Sequence, residues 1–158
     1  MPQPQIGQPA PDFTLPATGG REITLSALKG HNVVLYFYPR DNTPGCTKEG
    51  QAFRDHFEDF RALDTVILGI SRDSLKTHEN FKAKHRFPFE LLSDSEETVC
   101  KRYDVLKEKN MYGRKVIGIE RSTFLIDKQG ILRREWRKVK VAGHVEEVLE
   151  AVRELQES

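Results

Sequence analysis

The chain is poor in the residues that mark several functional classes. It has two cysteines in 158 residues. That is too few for a disulfide scaffold, and Cys46 and Cys100 do not form the Cys-x-x-Cys pair of zinc sites and dithiol oxidoreductases. Neither sign of charge dominates: 25 Lys and Arg stand against 24 Asp and Glu, so no net field favours nucleic acid or an anionic membrane. No apolar run is long enough to span a bilayer. The first residues, Met1 to Gln5, show neither the basic nor the apolar region of a secretory signal, so none is expected. No Gly-rich loop leads to Lys-Ser/Thr, and no His-Glu-x-x-His occurs. His31, His56, His78, His85 and His144 are scattered and are read as surface or capping residues. Neither a metal nor any other cofactor is therefore expected. There is no internal repeat and no low-complexity linker, which predicts one domain over residues 1–158. Two reduced thiols fit a cytoplasmic protein.

What is present has the patterning of a soluble α/β domain, with 37% hydrophobic and 31% charged residues. The proline-rich first dozen residues are expected to run extended over the surface. Phe13-Thr14-Leu15 and Glu22-Ile23-Thr24-Leu25, either side of Thr18-Gly19-Gly20, predict a small hairpin. Four segments read as core strands: 33–38, 66–70, 122–126 and 131–139. The last two are joined by the turn Asp127-Lys128-Gln129-Gly130. Arg133, Arg134, Arg137, Lys138 and Lys140 fit the solvated face of the final strand. Phe53, Phe57, Phe60 and Leu63 recur at helical spacing and predict one helix with one buried stripe. Further helices are expected over 74–84, after the Asp94-Ser95-Glu96-Glu97 capping sequence, and along the stripe from Val141 to Leu155. A βαβ unit followed by a ββα unit implies a thioredoxin-like α/β fold: a central mixed sheet with helices on both faces and an N-terminal hairpin.

The chemistry concentrates where the first core strand ends. Val33 to Tyr38 runs into Pro39-Arg40-Asp41-Asn42-Thr43-Pro44-Gly45-Cys46, a turn that delivers one thiol to the start of a helix. A thiolate, not a thiol, is the nucleophile, and an ordinary thiol with a pKa of about 8.5 is only a few per cent ionised at neutral pH. A helix N-terminus favours the ionised form. A lone cysteine is usually an inert core residue. A Thr-Pro-Gly turn is not an inert apolar setting.

The string Tyr36 to Thr47 resembles the peroxiredoxin signature, and specifically that of the Q-type or bacterioferritin comigratory branch. The likeness extends through Phe53-Arg54-Asp55, Leu92-Ser93-Asp94 and Arg121 to Asp127. It implies a thiol peroxidase in which Cys46 attacks hydrogen peroxide or an organic hydroperoxide and becomes sulfenic acid. Thr43 would offer its hydroxyl to the thiolate or the peroxide, or cap the helix. Pro39 would shield the site, and Arg121 would stabilise the thiolate and the leaving oxygen. Glu49, one helical turn after Cys46, would orient Arg121. The resemblance breaks at the second cysteine. Gln51 occupies one usual resolving position, and the segment Asn80 to Lys84 lacks a cysteine at the other. Cys100 reads as a packed residue, with a resolving role as the alternative. The implied mechanism is single-cysteine, with thioredoxin, glutaredoxin or another thiol as reductant, in a monomer or weak homodimer. The rival classes are a thiol–disulfide oxidoreductase and a non-enzymatic redox sensor.

Overall fold

The computed structural model describes residues 4–157, apart from the side chains of Met111 and Glu157. Its centre is β3 (Asn32–Phe37), whose six residues are all buried. β3 runs parallel to β4 (Thr65–Ser71), with Val34 opposite Ile67, and antiparallel to β8 (Ser122–Ile126), with Leu35 opposite Phe124. A strand covered on both faces needs apolar residues at every position, which is why these segments read as unbroken runs. β5 (Glu90–Ser93) lies parallel to β4, and β9 (Leu132–Trp136) closes the other edge against β8. The hairpin β1 (Thr14–Ala17) and β2 (Arg21–Thr24) joins the sheet where Ala17 meets Leu92. The seven strands run in the order β2-β1-β5-β4-β3-β8-β9.

Alternate residues of β3, continued by Tyr38 which follows it, point into two separate cores. Val34, Tyr36 and Tyr38 pack with Phe53 of α1 (Pro44–Asp55), Phe60 of α2 (Phe57–Ala62), Phe81 of α3 (Leu75–His85) and Val148 of α5 (His144–Glu157). Val33, Leu35 and Phe37 pack with the hairpin and with Val99 and Cys100 of α4 (Thr98–Arg102). The mixed sheet, its N-terminal hairpin and the helices on both faces agree with the sequence expectation.

Three features differ from it. The Phe53–Leu63 stripe is not one helix. The chain turns at His56 (φ −102°, ψ 8°), so Phe53 and Phe60 are fully buried from two short helices while Phe57 is only partly covered. β5 is an additional core strand, four residues long and preceded by Phe87-Pro88-Phe89, too short to carry a period. A separate hairpin, β6 (Leu106–Met111) and β7 (Arg114–Ile119), stands outside the main sheet. Its Lys-Glu-Lys-Asn run has no apolar alternation because both faces are largely uncovered, with Tyr112 fully exposed at its tip.

After Pro4, which is buried, the N-terminal segment does run along the surface, with residues 5–9 exposed. It bridges Pro9 to Ile131, and the amides of Gly7 and Ala10 donate to Leu132 and Gly130. The part of that expectation covering residues 1–3 lies outside the described residues. Asp94 does not cap α4 as its first flanking residue; Glu97 holds that place in a left-handed conformation (φ 65°). The Asp94 carboxylate instead accepts from the amides of Val99 (3.3 Å) and Cys100 (2.7 Å), which the helix leaves unpaired.

Candidate active site

The antiparallel pairing of β3 with β8 builds the site. Phe37 lies opposite Ser122, so the segment entering β8 passes beside the loop leaving β3. That loop carries Cys46 and the entering segment carries Arg121, which brings together residues 75 positions apart. The loop leaves β3 through half-buried Pro39 and reverses at Asn42, a non-glycine residue in the left-handed region (φ 65°). It then enters α1 with Thr43 at the N-cap and Pro44 at the first helical position. Proline fits there because its missing N–H would have had no helical partner.

Cys46 lies in the first turn of α1, 2% exposed. Arg121 donates from Nη2 to its Sγ at 3.3 Å and from Nη1 to Glu49 Oε1 at 2.7 Å. Glu49, one turn along the same helix, is fully buried. One guanidinium thus holds sulfur and carboxylate together, its planar fork matched to two acceptors at once. Burial opposes the Arg121 charge, but Glu49 and Cys46 beside it more than compensate and strengthen its hold on the proton. Burial pushes the Glu49 carboxyl up to about 7, Arg121 only partly restraining it. Burial thus works against the ionised form of Glu49 while the guanidinium works for it. Glu49 Oε2 and the Tyr36 hydroxyl are both buried without a hydrogen-bond partner in this core.

Gly45 has a role that the turn motif does not reveal. A Cβ there would stand 3.1 Å from Arg121 Nη2, so glycine leaves the lane through which the guanidinium reaches the sulfur. Gly50 performs the same service one turn later, where a Cβ would meet the Phe87 ring at 2.5 Å.

Thr43 is at the N-cap by backbone geometry, its carbonyl accepting from the Thr47 amide at 2.9 Å. Its hydroxyl makes no capping bond and donates instead to the Arg40 carbonyl at 2.8 Å. With that hydrogen committed, its oxygen keeps lone pairs free to accept. Cys100 belongs to the opposite core, under the far face of the sheet. Burial there, followed by Asp94, raises its thiol well above the ordinary range and keeps it protonated. Both cysteines are free.

Two histidines depart from the surface reading. His144 is buried and bonds Thr123 at 2.8 Å, burial pushing its ring down to about 4. His78 is completely buried beside Asp41 of the Cys46 loop. Asp41, Asp73 and His78 place donor atoms within 4.8 Å of one another, a grouping that scattered spacing could not suggest. Surface clefts of about 450 and 260 Å³ lie elsewhere, one over β2 and β4, the other by the β8–β9 turn. Cys46 lines neither of them.

A buried cysteine in a first helical turn, bonded by an arginine just before β8, coincides with a family match. Residues 6–135 match the AhpC/TSA family. The chain is 52% identical over 153 residues to peroxiredoxin Bcp of Bacillus subtilis, covering 97% of this chain and 98% of that protein. The chain belongs to the peroxiredoxins. Within them it is similar to the Q-type or Bcp branch. Among solved structures, Xylella fastidiosa PrxQ in a serine-for-cysteine variant matches with a TM-score of 0.92 and 44% identity over 99% of both chains. The Xanthomonas campestris bacterioferritin comigratory protein matches with a TM-score of 0.88 and 49% identity, covering 94% of this chain and 98% of that one. Its alkyl peroxide reduction activity is described from trapped intermediate and ligand complexes. As a peroxiredoxin the chain is a thiol peroxidase with a peroxidatic cysteine. Among the described residues no helix is long and apolar enough to cross a membrane.

Proposed function

We infer that Cys46 is the peroxidatic cysteine and that its sulfenic acid is reduced by an external thiol, without a resolving cysteine in the chain. The bridging of Cys46 and Glu49 by Arg121 carries this reading. An ionised Cys46 attacks one peroxide oxygen; the S–O bond forms as the O–O bond breaks, and the departing hydroxide or alkoxide takes a proton to leave as water or alcohol. Arg121 lies where negative charge moves from sulfur towards the leaving oxygen, so its donors stabilise the transition state more than the ground state. Thr43, its own hydrogen committed to Arg40, accepts the hydrogen bond of the incoming peroxide O–H and orients it. Pro39 covers the loop side, and Glu49 orients Arg121.

The sulfenic acid then condenses with an external thiol, releasing water and leaving a mixed disulfide. A second thiol regenerates Cys46. A dithiol protein of the thioredoxin or glutaredoxin kind supplies both thiols. Cys100 lies across the sheet in a separate core and is held protonated, which favours a packing role. A reducing cytoplasm fits this need for external thiols, and nothing in the chemistry needs more than one copy of the chain.

Mass spectrometry after one equivalent of hydrogen peroxide, with a sulfenic-acid trap, tests the reading on wild type, Cys46→Ser and Cys100→Ser. A trapped adduct on Cys46 that persists in Cys100→Ser is expected. Rapid loss of two hydrogens, abolished by either substitution, would make Cys100 the resolving residue and overturn the single-cysteine scheme.

A further inference from the structure

We propose that His78, acting through Asp41, is a positioning residue for Cys46, an inference that rests on the peroxidatic reading of Cys46. Of residues 40–43 only Asp41 is buried, at 4% exposure. Burying a loop carboxylate is costly unless every oxygen is partnered. Here it is fully partnered. Tyr38 donates its hydroxyl to Oδ1 at 2.6 Å, and His78 Nδ1 lies 2.7 Å from Oδ2. The Asp41 amide donates to Asp73 Oδ2 at 2.9 Å, and the same oxygen accepts from the Ser71 hydroxyl at 2.6 Å.

The hydrogens of this cluster can be counted. His78 Nε2 faces the Leu92 carbonyl at 2.9 Å. A carbonyl only accepts, so Nε2 carries its hydrogen. One further hydrogen lies between Nδ1 and Oδ2, and the pair is neutral overall whichever atom holds it. Both ring nitrogens of His78 are thereby engaged within the cluster.

Its position gives the cluster its consequence. β3, β4 and β5 run parallel, and the clamp joins their carboxyl ends: Tyr38 after β3, Ser71 ending β4 and Leu92 in β5. Asp41 is the point at which the Cys46 loop is fixed to this frame. From there to the sulfur little freedom remains: Asn42 is left-handed, Thr43 is tied to Arg40, and Pro44 opens the helix. Arg121 comes from the segment entering β8, on the other side of β3. The clamp therefore sets the sulfur and the Thr43 oxygen against the approach of the peroxide. Misplacement by about 1 Å from a change outside the reacting atoms costs about a hundredfold in rate.

The test compares two reactions of the same thiol. Second-order rate constants with hydrogen peroxide and with iodoacetamide are measured for wild type, His78→Phe and Asp41→Asn, each with its melting temperature. Peroxide needs the aligned site, whereas the alkylating agent needs only an ionised, reachable sulfur. The peroxide-to-iodoacetamide ratio is expected to fall by about tenfold to a hundredfold in both variants. Asp127→Ala, which removes the acceptor of the turn amides of Gln129 and Ile131 at the far end of β8, is the control and lowers melting temperature without moving the ratio. If His78→Phe does not fold, Asp41→Asn, which keeps the shape of the side chain, decides alone. A fast wild type whose ratio survives these substitutions overturns the positioning role. A wild-type peroxide rate no greater than that of a free thiol overturns the reading of Cys46, and this inference with it.

Discussion

Replacing Arg121 with methionine keeps most of the side-chain length and removes both donors. The Sγ contact, at 3.3 Å, and the Glu49 contact, at 2.7 Å, are lost together. Removing one preorganised donor from a charge-stabilising site costs about 2.7–4 kcal/mol, or about 10²–10³ in rate. The long contact to a diffuse sulfur argues for the lower end, about a hundredfold. The effect on stability has a different origin. Deleting one partner of a buried ion pair usually costs about 3–5 kcal/mol, because a charge is left stranded. Glu49 avoids this fate. Burial already holds its carboxyl at about 7 with Arg121 present, so without the cation it takes a proton instead of remaining charged. What is lost is closer to ordinary hydrogen bonding, about 1 kcal/mol, or about 2–4 °C in melting temperature for a chain of this size. Stopped-flow or competition kinetics with hydrogen peroxide, alongside thermal unfolding, measures both quantities. The double variant Glu49→Gln/Arg121→Met should resemble Arg121→Met alone in rate, since Glu49 acts through the arginine. A peroxide rate within about threefold of wild type would refute the role of Arg121. A loss of about 3 kcal/mol or more would refute the neutralisation of Glu49.

Other outcomes follow from the same geometry. Gly45→Ala puts a Cβ 3.1 Å from Arg121 Nη2 and should slow peroxide reduction several-fold, about 0.5–1.5 kcal/mol of displaced rotamer, with an almost unchanged melting temperature. Gly50→Ala drives a methyl to 2.5 Å from the Phe87 ring, and its overpacking should appear in calorimetry as a loss of about 1–3 kcal/mol. Glu49 binds a proton more tightly folded than unfolded, so between pH 4.5 and about 7 the folded state holds the extra proton and stability falls as pH rises. Its contribution is complete below 4.5 and gone above about 7, with a slope of up to about 1.4 kcal/mol per pH unit. Glu49→Gln should flatten that part of a denaturation-midpoint profile; an unchanged slope would rule out Glu49 as its source. Cys100→Ala should turn over normally with an external thiol, and a selective loss of turnover in a coupled peroxidase assay would restore Cys100 as a resolving candidate.

The sequence by itself determined four of the core strands, the strand-turn-helix that carries Cys46, and the place of Arg121 at the head of a strand. Those features are local: an apolar run, a Thr-Pro-Gly turn and a helical stripe are written in consecutive residues. The short β5 and the charged β6–β7 hairpin escaped because one is too brief for a period and the other buries neither face well enough to need one. The break at His56 escaped because the spacing of Phe53 and Phe60 suits a single helix as well as two. Tertiary structure alone decided which distant groups meet. The opposition of Phe37 and Ser122 brings Arg121 to Cys46, and the parallel ends of β3, β4 and β5 gather Tyr38, Asp41, Asp73 and His78. It also gave Gly45 its purpose and placed the two cysteines in different cores. Spacing along a chain encodes faces of single elements; contacts between elements depend on the register in which the sheet closes.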